Sequence, residues 1–270
     1  MKTRVITGAI MALIFIPIFL IGGITLAIFL GILSMVAVYE MLTVQKNDEN
    51  GMNWYLLITE EVVGIGVFIA FGMYLVGDIH GGFVLGALTI AMFMAMVYAF
   101  FLKENWKVFL LNTLYAPLGF VALLAMRYQS LPLIGYIFLI TTSTDIFAYF
   151  VGIKYGKHRL APKISPKKSI EGSIGGIVFA VIFTTIYVLF FDITEILSIS
   201  VNMFGLILLI LLISSLGQIG DLVASKIKRV NDVKDFSNIF PGHGGVVDRF
   251  DSVLLVGLVL LLISLGIDLI

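Results

Sequence analysis

The chain has 270 residues, 60% of them hydrophobic and only 13% charged, and its 17 basic and 17 acidic residues balance to a formal net charge of zero. A soluble protein carries roughly 25% charged residues, so this composition excludes a soluble globular domain, and the balanced charge argues against a nucleic-acid partner that needs a broad basic face. No cysteine is present, which removes disulfides and thiolate metal sites, and three scattered histidines, His80, His158 and His243, make a zinc site a poor reading.

A bilayer core takes about 20 apolar residues per helix. Backbone groups in lipid must be satisfied within the segment, so long apolar runs become helices. Nine spans are expected, near residues 5–22, 24–44, 54–77, 83–102, 108–126, 131–152, 173–191, 199–223 and 252–270. The fold class is therefore an all-α polytopic membrane protein. Lys2 and Arg4 ahead of an apolar run imitate a signal peptide, but the run continues to about Leu42 without a small-x-small cleavage site, so retained spans are expected. Gly22 and Gly23 mark the turn between the first two. About five spans fall in residues 1–130; residues 131–270 carry the candidate chemistry, with long polar loops at 154–172 and 226–251.

Cytoplasmic loops collect Lys and Arg, and the charges test the span count. With nine spans, sixteen of the seventeen basic residues fall on the side of the N-terminus, including Lys46, Lys103 and Lys107, and Arg127 alone falls on the other. One missed or spurious helix would scramble that split. The N-terminus is expected in the cytoplasm, and the outer loops are short, holding little beyond Asp78, His80, Arg127, Asp192 and Glu195.

In the eighth span, Ser214, Gln218, Asp221, Ser225 and Lys228 recur every three or four residues and so share one helical face. A carboxylate at mid-bilayer costs about 2.5–3.5 kcal/mol on insertion scales, so this stripe is expected to face protein or a water-filled cavity. Asp145 is a second ionisable group within a span, flanked by Thr141, Ala148 and Gly152 on nearly the same face, where small residues permit close helix packing. Glu40, Glu60 and Glu61 are read as boundary residues without a chemical role. In "PGHGGVVDRFD", Pro241 to Asp251, the glycines allow backbone N–H groups to turn inward around an anion. His243 and Arg249 can add hydrogen bonds to phosphate oxygens. Aspartates beside such a phosphate site imply a cation, and magnesium, which takes one or two carboxylates plus phosphate oxygens and waters, suits Asp248 and its neighbours. The other long loop, "APKISPKKSIEG", concentrates Lys163, Lys167 and Lys168, a charge that could equally attract anionic lipid headgroups.

The stretch "SKIKRVNDVKDFSNIFPGHGGVVDRFD", Ser225 to Asp251, resembles the signature of the phosphatidate cytidylyltransferases, the CDP-diacylglycerol synthases. "DIFAYFVGIKYGKHRLAPKISPKKSIEG", Asp145 to Gly172, is similar to a second region of that family. Ala224 stands where many relatives carry glutamate, and "KDFS", Lys234 to Ser237, where "KDSG" is common. The resemblance implies attack of the phosphatidate phosphate on the α-phosphorus of CTP, in phospholipid biosynthesis, with Asp221 and Asp248 as magnesium carboxylates and Asp145 as a further metal candidate. It implies Lys167, Lys168 and Arg249 as catalytic cations. Ser165, Lys228, Arg229, Lys234, Asp235, His243, Gly244, Gly245 and Asp251 become substrate-binding candidates. It also suggests a second, monovalent cation, leaves room for a homodimer among membrane lipids, and places the protein in a bacterial-type inner membrane with its site on the cytoplasmic side. Two rivals stay open: a CTP-dependent kinase acting on a polyprenol or another lipid, and an ion-coupled transporter binding its ion at Asp145 and Asp221.

Overall fold

The computed structural model describes residues 2–45, 54–75, 82–100, 106–193, 195–196, 199–200 and 202–267. Lys46, Asp78, His80 and Lys103, all used above, lie outside the described residues. The chain opens with α1 (Lys2–Ile21), α2 (Gly23–Gln45), α3 (Trp54–Leu75) and α4 (Gly82–Phe100). A continuous rod follows, made of α5 (Trp106–Leu110), a π-helical segment (Leu111–Tyr115) and α6 (Ala116–Gln129). Then come α7 (Leu131–Tyr155), a short hairpin of β1 (Arg159–Ala161) and β2 (Ser165–Ser169), and α8 (Ile170–Phe191). A second small hairpin, β3 (Glu195–Ile196) with β4 (Ile199–Ser200), leads to α9 (Met203–Val230) and α10 (Val247–Ile267). Each expected span thus has a helical rod at its place. Among the described residues seven of these rods are long and apolar enough to cross a membrane, while the apolar stretch of α4, Phe83–Val97, is shorter.

Local chemistry sets the helix ends. Gly22 and Gly23, with φ of 68° and 58°, make the turn between α1 and α2 that few other residues would tolerate. Arg127 covers the last turn of α1, donating from Nε to the Phe19 carbonyl at 2.6 Å and from Nη2 to that of Leu20 at 2.8 Å. Ser130 caps α7 by accepting from the Leu133 amide, Ser169 caps α8 through the Gly172 amide, and Asn202 caps α9 through the Gly205 amide. Both long polar loops are shorter than expected, because α8 starts at Ile170, α9 runs on to Val230 and α10 begins at Val247.

Small residues draw the helices together. Gly172 and Gly176 of α8 lie against Ala148, Gly152 and the Thr144 carbonyl of α7, and Gly119 of α6 lies against Leu254 of α10. The last helix packs on both α9 and α6, so it ties the two halves of the chain into one bundle. Apolar side chains on the outer faces, such as Leu13, Ile24, Tyr55, Phe83 and Phe190, are exposed, as a lipid-facing surface requires. The contacts also sort the helix ends. Arg4, Thr7 and Gly8 of α1, Glu40 of α2, the end of α9 and the start of α10 all gather round residues 231–246, and Lys168, just ahead of α8, reaches Asp221 of α9. Arg127 and the end of α1 lie at the other end of the bundle.

Candidate active site

The polar stripe of α9 faces protein along its length. Ser214 Oγ is 2.7 Å from Thr144 Oγ1 of α7, and Gln218 bonds to the hydroxyl and the carbonyl of Ser173 on α8. One turn on, Asp221 forms an ion pair through Oδ2 with Lys168 of β2 and accepts from Ser225 Oγ at 3.2 Å through Oδ1. Lys228, nearly buried, donates to Asp248 Oδ1 at 2.6 Å and lies over the Phe236 ring at 5.4 Å. Successive strand residues point to opposite faces, so Lys168 turns inward while Lys167 is exposed on the outer side of the hairpin, with Ser165 half-buried.

Around Asp221 the structure assembles further carboxylates. Asp145, exposed on α7, accepts from Ser252 and feels the charges of Asp221, Lys168 and Arg249. Asp251 feels those of Asp221, Lys228 and Asp145. A Cβ on Gly220 would stand 2.5 Å from the Asp251 carbonyl, which shows how tightly α9 and α10 approach at this level. Asp248 has different company: Oδ2 accepts from the amides of Phe236 at 2.8 Å and Gly245 at 2.9 Å, and only 8% of the residue is exposed. It therefore holds the loop to the start of α10 while pairing with Lys228.

The glycine turn gathers anions as its sequence implies, but those anions belong to the protein. Gly242 and Gly244 adopt φ of 78° and 83°, and the Phe240 amide bonds to the Gly244 carbonyl at 2.9 Å. The next three amides are all taken. That of Gly245 goes to Asp248, and those of Val246 and Val247 each donate at 2.9 Å to the two carboxylate oxygens of Glu40. Ser237 Oγ adds a third donor to Glu40 at 2.5 Å. Glu40, read from sequence as a boundary residue, is wholly buried under this turn, and a Cβ on Gly245 would overlap its carboxylate. The only signal for it in the sequence was a lone acid near the end of an apolar helix. Ser237, one of the departures from the family pattern, is what reaches it. Glu60 is buried too, accepting from Asn112 Nδ2 at 2.8 Å away from this site.

Beside the turn lies a polar cavity of about 450 Å³ lined by Arg4, Lys234, Asp235, Asn238, Gly242, His243, Gly244 and Arg249. Burial, with the charges of Arg249 and Arg4, lowers the His243 pKa below its ordinary value near 6.5. Arg229 donates to the Val233 carbonyl at 3.3 Å and shapes the loop instead. His158 pairs with Glu171 at 2.6 Å, closing the exposed hairpin.

The sequence pattern of the cytidylyltransferase family matches residues 2–265, nearly the whole chain. The chain belongs to the cytidylyltransferase family. It is 37% identical over 267 residues to the phosphatidate cytidylyltransferase of Staphylococcus haemolyticus, covering 95% of this chain and 96% of the relative. It is 35% identical over 261 residues to that of Staphylococcus aureus strain COL and 33% identical over 261 residues to that of Staphylococcus saprophyticus, with the same coverage. Family membership makes this polar end, where acidic and basic side chains meet, the candidate site of nucleotide transfer, and the long apolar helices make the protein an integral membrane protein.

The donor set fits magnesium. Carboxylate oxygens are the hard ligands it prefers, and one or two suffice when phosphates and waters complete the shell. Among the described residues no three such groups converge into a ready cage.

Proposed function

We propose that the protein is a phosphatidate cytidylyltransferase, converting CTP and phosphatidate into CDP-diacylglycerol and pyrophosphate. The observation that carries this reading is the pairing of Lys168 with Asp221 and of Lys228 with Asp248 at the basic end of a membrane bundle whose sequence matches the family throughout. A phosphatidate oxygen attacks the α-phosphorus of CTP, a P–O bond forms, and the bridging bond to the β-phosphate breaks with its electron pair leaving on pyrophosphate. Phosphatidate is already ionised near neutral pH, so no strong base is required. The difficulty is bringing two polyanions together, and that is electrostatic work.

Asp221 and Asp248 are the proposed carboxylates for magnesium, with Asp145 and Asp251 adding negative charge beside Asp221. A bound magnesium ion would polarise phosphate oxygens and neutralise charge developing on the leaving group. Lys168 and Lys228, now held by those aspartates, are the cations that a divalent ion would free for phosphate oxygens. Arg249 and Lys234 face the neighbouring cavity, where a second phosphate group can be held. A monovalent cation could add to the neutralisation.

Among the described residues the basic side chains gather at the site end, with Arg127 alone at the other, and the positive-inside rule supports a site on the cytoplasmic side of a bacterial-type inner membrane, where CTP is available. The decisive assay incubates purified protein with labelled CTP and phosphatidate, with and without magnesium. Magnesium-dependent release of pyrophosphate and CDP-diacylglycerol is expected. Release of CDP would instead identify a lipid kinase, and ion-dependent uptake into liposomes without nucleotide would identify a transporter.

A further inference from the structure

We propose that Arg4, on the first helix, is a phosphate-binding residue of this site: with Lys234, His243 and Arg249 it closes the polar cavity beside the glycine turn around the phosphate oxygens of a substrate. The inference rests on the functional reading above only for which substrate supplies the phosphate.

Charge in the cavity is unbalanced. Arg4, Lys234 and Arg249 bring three positive charges to a space of about 450 Å³ whose lining includes one carboxylate, Asp235. That volume lies within the range of about 300–1,000 Å³ usual for small-molecule sites. Among the described residues neither the Arg4 nor the Arg249 guanidinium has a hydrogen bond or ion pair, although Arg249 also acts on Asp145 across the site. Like charges around one recess repel unless an anion enters it. The planar fork of a guanidinium matches phosphate oxygens in pairs. The amides that follow the glycine turn cannot do this work, because Glu40 and Asp248 occupy them.

Arg4 is also directed there by contacts that a freely snorkelling arginine would lack. Its Cγ would be 2.9 Å from a Cβ on Gly242, so the bare turn is what lets the Arg4 stem lie across it. Thr7 Oγ1 donates to the Pro241 carbonyl at 3.1 Å, and Gly8 faces His243, with its missing Cβ 3.6 Å from the ring. No residue in the apolar span of α1 is buried. Phe15 also packs edge-on to the Phe240 ring, so the first turns of this exposed helix are docked on the glycine turn.

The test uses the full-length enzyme in mixed micelles. Arg4→Gln keeps the stem on Gly242 and removes the charge; Arg4→Lys keeps both but loses the fork. Ligand-induced thermal stabilisation is measured for CTP, for pyrophosphate, and for phosphatidate against diacylglycerol, together with KM for both substrates. In Arg4→Gln, stabilisation by one phosphate ligand should be largely lost and KM for the matching substrate should rise about 10- to 100-fold, with Arg4→Lys recovering part of it. Loss for phosphatidate assigns the cavity to the lipid headgroup, and loss for CTP and pyrophosphate assigns it to the nucleotide. A folded Arg4→Gln protein that keeps every ligand shift, with both KM values within about twofold of wild type, overturns the proposal. Should Arg4→Gln fail to fold, Arg4→Lys decides alone: an unchanged KM for both substrates is the refuting result. If wild type forms no CDP-diacylglycerol, the functional reading fails, while the pyrophosphate and phosphatidate shifts still judge Arg4.

Discussion

Replacing Glu40 is expected to undo the glycine turn from beneath. The carboxylate satisfies Ser237 Oγ and the amides of Val246 and Val247, and the residue is wholly buried. Alanine would leave two backbone N–H groups without a partner in a buried place. At about 1–3 kcal/mol for each unsatisfied group, the loss is about 2–6 kcal/mol, a large share of the roughly 5–15 kcal/mol by which native proteins are stable. Glutamine keeps the volume and one carbonyl acceptor, yet its NH2 must face one of the donors, so about half the loss is expected. Gly245→Ala should imitate the alanine variant, because its Cβ would overlap the Glu40 carboxylate. Amide hydrogen exchange across residues 244–248, thermal unfolding and turnover are measured on one preparation. Protection of Val246 and Val247 and turnover should fall in the order wild type, Glu40→Gln, Glu40→Ala. If Glu40→Ala keeps wild-type protection at those two amides and unfolds at the wild-type temperature, the carboxylate does not hold the turn.

Asp221→Asn and Asp248→Asn should both lose magnesium-dependent turnover, but unequally in stability. Asp248→Asn strands Lys228, with a side chain 11% exposed, at a cost of about 3–5 kcal/mol, whereas the more accessible Lys168–Asp221 pair is worth about 1 kcal/mol or less; equal melting temperatures would contradict this division. Lys168→Ala removes the ammonium that competes for Asp221, so magnesium should bind the nucleotide-free protein several-fold more tightly while turnover falls, and a weaker metal affinity by titration would refute the competition. His243 has a folded pKa below its unfolded value near 6.5, so the unfolded chain takes up the proton first. Stability should therefore be full above about pH 7 and decline as pH falls through that value towards the folded pKa, a slope in melting temperature that His243→Gln should flatten.

The helices were legible because lipid forces the same solution on every apolar run, and most of the runs are long enough to announce themselves. The α9 stripe was legible for a related reason: Gln218 and Asp221 are too costly to face lipid, so a partner surface had to exist, and α7, α8 and α10 supply it. What periodicity could not show was pairing across the fold. The β1–β2 hairpin that separates Lys168 from Lys167 is only a few residues long and lies in a loop written in prolines and lysines. Glu40 lies more than two hundred residues from the amides it binds, and an acid near a helix end looks the same whether it meets water or a turn. The glycines were read as a nest for a substrate's phosphate, and the amides that follow them bind the protein's own carboxylates, a distinction that a sequence cannot draw.

The division of the chain at about residue 130 describes where the charged loops are, and the site draws on both sides of it. Arg4 lies across Gly242, Glu40 holds Val246 and Val247, and the Tyr115 hydroxyl donates to the Asp251 carbonyl at 3.1 Å. All three contacts end on the segment from Gly242 to Asp251, which contains the turn and the first charged residues of α10. That segment presents Asp248 and Asp251 to charged groups of α9, turns Arg249 into the cavity that Arg4 also lines, and is braced from beneath by Glu40. Positions on α1, on α2 and on the rod that carries Tyr115 are therefore under chemical constraint at the basic end and free to vary among apolar residues along their lipid-facing lengths.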